Sequence, residues 1–208
     1  MQTDDLINQL AGNVAPVKRL KPPCFRFALW LAVSLLYVAV LLANFGLRED
    51  LPDMLRSPIF IWQIGLMALL SVLAGLIAFT ISIPGRAFPP AAKYSVVLLA
   101  GIFLATLAFL SCADPNSHAG EGWGCSKHLT MLGFVPAAIM IFMLKFTAPM
   151  QRLWTGILLG LAMIGISAAA MYLSCPSNDP LHVLVWHILP GFVFVAAGAG
   201  IASRLFRW

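Results

Sequence analysis

The sequence predicts an all-α membrane protein, a polytopic bundle of six transmembrane helices. Of its 208 residues, 61% are hydrophobic and only 10% are charged, whereas soluble domains contain about 45–50% apolar and about 25% charged residues. A helix needs about 20 apolar residues to cross the hydrocarbon core of a bilayer, and six stretches of the chain satisfy this requirement. A single soluble core cannot bury so much apolar surface, so the lipid bilayer is the expected solvent for most of the chain.

The six stretches predict two regions, a cytoplasmic segment over residues 1–26 and a transmembrane domain over residues 27–208. The first stretch begins too late and runs too long for a cleavable signal peptide. Small residues recur as Gly156-x-x-x-Gly160 and Ala196-x-x-x-Gly200. Such spacing allows close helix contact, although glycine is common in membrane helices whatever its role. The expected spans are 27–47, 59–83, 94–112, 129–146, 153–173 and 181–203.

The distribution of charge predicts the orientation of the spans. The chain has 13 Lys and Arg residues against 8 Asp and Glu residues. Ten of the basic residues fall in the N-terminal segment and in alternate loops, together with only two acids, Asp4 and Asp5. The positive-inside rule places these segments, and therefore both termini, in the cytoplasm. The basic residues are scattered in small groups, which argues against direct binding of nucleic acid. The ten are Lys18, Arg19, Lys21, Arg26, Arg86, Lys93, Lys145, Arg152, Arg204 and Arg207.

Cysteine and histidine residues collect on the opposite, outer side of this predicted bundle. Thiolates and imidazoles gathered on one face are ligands for soft metal ions such as copper, zinc or cadmium. Cysteines in an oxidising compartment also form structural disulfides, and a buried cysteine can act as a small apolar residue. Interfacial histidines can instead bond to the backbone, and the sequence leaves these alternatives open. The outer residues are Cys112, Cys125, Cys175, His118, His128, His182 and His187.

The spacing of these residues indicates which of them share a helix face. Cys125 and His128 are three residues apart near the start of the fourth span, so they lie on one face. His182 and His187 are five residues apart, or about 140° around an α-helix, and are expected to face different surroundings. The residues considered as metal ligands are Cys125, His128, Cys175, His182 and His187.

Two absences in the sequence argue against catalysis and transport. There is no Cys-x-x-Cys pair, which disfavours a thioredoxin-like enzyme. Charged side chains are nearly absent at mid-membrane depth, where transporters and proton pumps normally carry them. The chain is therefore expected not to be an enzyme. A membrane thiol–disulfide oxidoreductase and a metal-binding membrane protein are the alternatives kept.

The N-terminal segment predicts a short amphipathic helix followed by an extended basic spacer. Apolar residues recur at every fourth position from Leu6 to Val14, and acids lie in the first turn, where the helix dipole favours them. A helix this short is marginal alone, so it is expected to dock in a groove of a partner protein. The bilayer surface and a flexible tail are the other interpretations. The residues expected to contact the partner are Asp4, Asp5, Leu6, Ile7, Leu10, Val14, Pro16 and Arg19.

Three features of the chain resemble the NrsF family of negative regulators of extracytoplasmic-function sigma factors. The first is the opening Thr3-Asp4-Asp5-Leu6-Ile7-x-x-Leu10-Ala11, continued by Pro16-Val17-x-Arg19-Leu20-x-Pro22-Pro23. The second is the presence of six spans in about 200 residues. The third is the outer set of Cys125, Cys175 and His182-x-x-x-Trp186-His187-x-x-Pro190. The resemblance covers essentially the whole chain.

The resemblance implies an anti-sigma factor of the bacterial inner membrane. Its cytoplasmic segment would sequester an extracytoplasmic-function sigma factor away from RNA polymerase. The resemblance also implies that Cys125 and Cys175 form the pair that senses heavy-metal or oxidative stress. Cys112 lies outside the family pattern and leaves the disulfide partner open. The expected partners are therefore the sigma factor and the lipid bilayer, and the sequence leaves open whether the chain acts as a homodimer.

Overall fold

The computed structural model describes residues 3–12, 20–86 and 88–205, and within them the chain is helical with no strand. Six of the helices are long and apolar enough to cross a membrane, as the sequence predicted. The last of these, α8, includes a π-helical turn over Leu184–Ile188. The helices are α1 (Thr3–Gly12), α2 (Pro23–Phe45), α3 (Leu51–Met54), α4 (Pro58–Ile81), α5 (Pro90–Ala113), α6 (Trp123–Lys145), α7 (Arg152–Ser174) and α8 (Pro180–Leu205).

Each spanning helix begins before the stretch that the sequence predicted for it. Proline occupies the first helical position of α2, α4, α5 and α8, where its fixed φ angle and missing N–H suit a helix start. The predicted spans began at the first apolar run and therefore missed these starts. The largest difference is at α6, which begins at Trp123 instead of residue 129. Cys125 consequently lies in the first turn of a spanning helix.

Helix α7 forms the centre of the bundle and is buried along almost its whole length. It packs against α4, α8, α6 and α2. Lipid tails are as apolar as leucine, so helices in a bilayer gain stability from close backbone packing. Glycines of α7 provide this closeness, since a Cβ atom on Gly165 would lie 2.6 Å from the Met67 carbonyl oxygen of α4. A Cβ atom on Gly160 would lie 2.4 Å from the Cα atom of Val195 in α8.

The glycine pattern of α7 is therefore a packing motif, and the α8 glycine that it meets is Gly198 rather than Gly200. A Cβ atom on Gly156 would lie 2.4 Å from the carbonyl oxygen of Gly198. A Cβ atom on Gly200 would have nothing within 4 Å. The Ala196-x-x-x-Gly200 spacing thus does not supply the contact, and Gly198, between its two ends, does.

Helices α2 and α6 are connected by side-chain hydrogen bonds along their length. The three donors all belong to α2 and the three acceptors are all backbone carbonyls of α6. Interhelical hydrogen bonds of this kind contribute to the association of membrane helices. They join Trp30 Nε1 to Pro136 O at 3.0 Å, the Tyr37 hydroxyl to Met131 O at 2.9 Å, and the Arg26 guanidinium to Met143 O.

The bundle has two chemically different ends. At the end we call the cysteine end, α2, α5 and α7 finish and α4, α6 and α8 begin. All four histidines and the cysteines at positions 112, 125 and 175 lie at or near this end. The opposite end, called here the basic end, carries the basic residues of the described alternate loops and helix ends, namely Lys21, Arg26, Arg86, Lys93, Lys145, Arg152 and Arg204.

The glycine contacts predict that a larger side chain destabilises the bundle at Gly160 of α7 but not at Gly200 of α8. Gly160→Val should destabilise the bundle by about 1–3 kcal/mol, because the side chain would overlap the backbone of α8. Gly200→Val adds the same volume to α8 at a position with nothing within 4 Å. The midpoint of heat-induced aggregation of the detergent-solubilised protein should fall for the first variant only. Equal midpoints for the two variants would contradict the packing role of Gly160.

Candidate thiol and imidazole site

Four side chains with metal-ligating atoms meet at the cysteine end. They are Cys125 of α6, Cys175 directly after α7, and His182 and His187 of α8, called here the Cys/His cluster. One ligand atom from each lies within 4.8 Å of the others. The two sulfur atoms are 3.2 Å apart as free thiols, and Cys175 Sγ is 3.6 Å from His182 Nε2. Cys175, His182 and His187 are buried, and Cys125 is half-buried.

The two histidines share a face of α8, contrary to the prediction from α-helical geometry. The chain between them follows a π-helical turn over Leu184–Ile188, in which the Leu189 amide donates to the Leu184 carbonyl. A π turn contains more residues than an α turn, so residues five apart lie close to one another. The rings of His182 and His187 are consequently 5.5 Å apart between centroids. The sequence argument failed because it assumed a regular helix.

The sequence around the π turn explains why the helix widens there. Pro190 has no N–H and its ring would collide with the carbonyl of residue 186 in a regular α-helix. Since Pro190 has no N–H, the α-helical amide donor of the Trp186 carbonyl is missing. The hydroxyl of Ser126 donates to that carbonyl at 2.8 Å. Ser126 of α6 thus supplies a hydrogen-bond donor to a backbone carbonyl of α8, and it directly follows Cys125 in the chain.

Asp179 connects the loop between α5 and α6 to the start of α8. Its carboxylate accepts hydrogen bonds from the Ser117 hydroxyl at 2.7 Å, the His118 amide at 2.9 Å and the Leu181 amide at 2.9 Å. Burial raises the pKa of Asp179, but these hydrogen bonds outweigh it and hold the pKa below its usual value. The carboxylate is therefore charged at neutral pH, and the connection weakens only as pH falls through that lowered pKa.

The same loop contacts His182 of the cluster, and also Trp186, through the carbonyls of Ala119 and Gly120. Trp186 Nε1 donates to both oxygens at 3.1 Å, and the His182 Nδ1 atom lies 2.8 Å from the Ala119 oxygen. A carbonyl oxygen can only accept, so Nδ1 carries the proton and Nε2 presents its lone pair toward Cys175. We call the loop over residues 114–122 the strap.

His187 is the unusual member of the cluster. Its side chain is fully buried, and neither ring nitrogen makes a hydrogen bond of regular geometry, although the imidazole interacts with the neighbouring Cys175 thiol. A buried polar group without a partner costs about 1–3 kcal/mol. The ring stands edge-on to Tyr172 at 6.4 Å and to His182. The chain thus maintains an imidazole without a regular hydrogen bond beside two thiols.

The thiols of the cluster differ in their reactivity. The hydrogen bond with Cys125 raises the pKa of the Cys175 thiol to about 11, and burial acts in the same direction. Because the thiolate is the nucleophile and the metal ligand, the raised pKa makes the Cys175 thiol less reactive than an ordinary cysteine. Cys125, half-buried at the start of α6, is the more accessible of the two.

Arg48, which the sequence did not indicate as a site residue, holds the backbone next to Cys175. Its backbone amide donates to Leu173 O at 3.0 Å, and its guanidinium donates to Pro176 O at 3.2 Å and to both oxygens of Asp50. The guanidinium lies 5.6 Å from the centroid of the Phe60 ring. Arg48 therefore fixes the backbone on both sides of Cys175. Arg48 is one of three basic residues on the predicted outer side, where the other charged residues are acids. This position in the sequence could have indicated a specific role.

The remaining sequence-predicted site residues lie apart from the cluster. His128 stacks on Phe45 with ring centroids 4.1 Å apart. Cys112 is an exposed residue of α5, and Cys24 is exposed at the basic end. In the N-terminal segment, Asp5 and Ile7 are exposed residues of α1. The side chains of Asp4, Leu6 and Leu10, and the whole of Val14, Pro16 and Arg19, lie outside the described residues.

The architecture and the cluster define a class, that of helical multi-pass membrane proteins with a buried thiol and imidazole group at one end. The family model described as "Negative regulator of sigma F" (NrsF) matches residues 10–208. The chain therefore belongs to the NrsF family. It is 28% identical over 218 residues to the anti-sigma-F factor NrsF of Caulobacter vibrioides (strain NA1000 / CB15N), with all of both chains covered. No solved structure matches the chain.

The connection made by Asp179 predicts that the strap controls access to Cys175. Asp179→Ala should increase the rate at which a maleimide alkylates Cys175 by at least about tenfold, because hydrogen bonds to a charged group contribute about 1.5–3 kcal/mol. The rate is measured with the other three cysteines replaced by serine. Asp53→Ala is the matched control, since its carboxylate pairs with Arg56 and both side chains are about 80% exposed. Similar rates for the two variants would contradict the role of the strap.

Proposed function

We propose that the chain is a membrane anti-sigma factor that sequesters an extracytoplasmic-function sigma factor through its N-terminal segment. Membership of a family of negative regulators of sigma F is the observation that carries this proposal. The role is regulatory rather than enzymatic. The soft-metal or oxidative signal is received by Cys125 and Cys175, whose sulfur atoms are 3.2 Å apart.

The charges of the two ends support an orientation in the bacterial inner membrane. The basic end carries the seven described Lys and Arg residues named above, which the positive-inside rule assigns to the cytoplasm. The N-terminal segment then lies beside the sigma factor, and the cysteine end faces the outer compartment. The signal and the response are thus on opposite sides of the bilayer.

Helix α1 supports the proposed contact with the sigma factor. It runs from Thr3 to Gly12, and the apolar side chain of Ile7 is 56% exposed on it. The predicted stripe of Leu6, Ile7 and Leu10 on this helix fits a groove on a partner by helix-in-groove recognition. Asp4 and Asp5 would meet basic residues of the partner. A chain bound in this way holds the sigma factor at the membrane and away from RNA polymerase.

Helix α6 offers a direct physical connection between the two ends. Cys125 is in its first turn, and near its other end the Met143 carbonyl accepts a hydrogen bond from Arg26. Arg26 belongs to α2, the helix that follows the N-terminal segment in the chain. A change in the thiol pair that displaces α6 therefore also displaces α2. A signal acts on such a bundle only through a different affinity for two of its states.

The docking proposal predicts that acids on the apolar stripe release the sigma factor. Leu6→Asp combined with Leu10→Asp should abolish repression of a sigma-dependent reporter in cells that coexpress both proteins, because two charges cannot enter an apolar groove without a large desolvation cost. Asn8→Asp combined with Gly12→Asp is the matched control. It adds the same charge at the same spacing, on the opposite side of a helix with 100° per residue. Unchanged repression by the first variant would disprove docking through this stripe.

The sensor proposal predicts a different phenotype. Cys125→Ser combined with Cys175→Ser should keep sigma binding but abolish the change in reporter activity on exposure to cadmium or a thiol oxidant, or lock it in one state. Cys112→Ser should respond as the parent protein does, since Cys112 is exposed and outside the cluster. A normal response in the double variant would exclude the thiol pair as the sensor.

A further inference from the structure

We propose that the Cys/His cluster is a four-coordinate site for one thiophilic divalent cation such as zinc or cadmium. His182 and His187 are direct ligands of this cation, as are the two cysteines. The inference deepens the sensing half of the proposed function by naming the ligand set and the class of ion. Binding itself does not require the sigma factor.

The spacing of the ligand atoms fits tetrahedral coordination. Zinc–sulfur and zinc–nitrogen bonds of about 2.3 and 2.0 Å at tetrahedral angles place neighbouring ligand atoms about 3.3–3.8 Å apart. The Cys125 to Cys175 distance is 3.2 Å and the Cys175 to His182 distance is 3.6 Å. All four ligand atoms lie within 4.8 Å of one another. These values lie on either side of the tetrahedral range, so small side-chain shifts would bring the four atoms around a common centre.

The orientation of His182 is that of a metal ligand. Metal-binding histidines usually donate their other ring N–H to a carbonyl or carboxylate, which fixes the tautomer and the ring plane. Here Nδ1 donates to the Ala119 carbonyl at 2.8 Å and Nε2 faces the sulfur of Cys175. The strap thus supplies the outer hydrogen bond of the site.

A bound cation would explain the burial of His187. Neither ring nitrogen makes a regular hydrogen bond, the side chain is fully buried, and its polar neighbour is the Cys175 thiol. A cation held by the other three ligands would take one of these nitrogens and remove the desolvation cost. The π turn that brings His187 beside His182 is also consistent with this role, since single π turns recur at functional sites.

The charge of the ligand set selects a divalent ion. Two thiolates and two neutral imidazoles carry a charge of −2, which a divalent cation neutralises. A monovalent copper ion would leave a net negative charge in a buried position, at a desolvation cost. The cluster contains no carboxylate, and soft sulfur ligands disfavour magnesium and calcium.

The test uses the purified full-length protein in lipid nanodiscs, with Cys24 and Cys112 replaced by serine and the remaining thiols kept reduced. Titration with zinc should saturate at one ion per chain. X-ray absorption should show two sulfur neighbours at about 2.3 Å and two nitrogen neighbours at about 2.0 Å. Titration with cadmium should produce a thiolate-to-metal charge-transfer band with the same stoichiometry.

Histidine variants separate this site from binding by the thiols alone. His187→Gln and His182→Gln should each weaken zinc affinity by at least about 100-fold, because even loss of an outer-shell partner costs about 10–100-fold. His128→Gln should bind as the parent does, since His128 stacks on Phe45. Size-exclusion profiles and helical circular dichroism of each variant establish that the bundle is intact.

Three results would overturn the site: no stoichiometric zinc in the parent protein, unchanged affinity in an intact His187→Gln variant, or an equal loss in His128→Gln. The reporter assay tests the anti-sigma role separately. Stoichiometric four-ligand binding in a chain that fails to repress the reporter would retain the site and reject the proposed function. Repression without any zinc binding would retain the function and reject the site.

Discussion

The hydrogen bond from Ser126 to the Trp186 carbonyl is the contact on which the cysteine end depends. Pro190 removes the amide that would normally satisfy this carbonyl, and α8 responds by widening into a π turn. Ser126 then supplies the missing donor from α6 at 2.8 Å. This interaction joins α6 to α8 one residue after Cys125, next to the π turn that places His187 on the face of His182. Proline in a membrane helix is tolerated where a neighbouring side chain satisfies the backbone, and here the neighbour is next to a thiol.

Packing and hydrogen bonds elsewhere in the bundle hold this arrangement in place. The glycines of α7 allow backbone contact with α4 and α8, so the helix that ends at Cys175 has little freedom to slide. Arg48 holds the chain on both sides of Cys175. Helix α6 is less buried and is connected to α2 by side-chain bonds to its carbonyls. A fixed centre with a more exposed helix beside it is a suitable arrangement for passing a change at one end of a bundle to the other.

The sequence predicted the fold well because bilayer thickness and the cost of burying charge act on composition directly. It also indicated that the cysteines and histidines share one end. It failed on His182 and His187 because spacing was converted to an angle with regular α-helical geometry, and Pro190 changes that geometry locally. His128 was included as a ligand because it is three residues from Cys125. Its ring instead stacks on Phe45, which is distant in sequence. Contacts of this kind depend on tertiary packing, and the roles of Arg48 and Ser126 have the same origin.

The cluster can also be completed only late in the synthesis of the chain. Cys125 and Cys175 are separated by 50 residues, and His187 follows both. At a synthesis rate of about 5–20 residues per second, Cys125 waits roughly 3–10 s for its partner after it is made. During that interval Cys24 and Cys112, which precede Cys125 in the chain, are the other cysteines already made. Formation of the cluster therefore depends on how fast the last two spanning helices join the bundle.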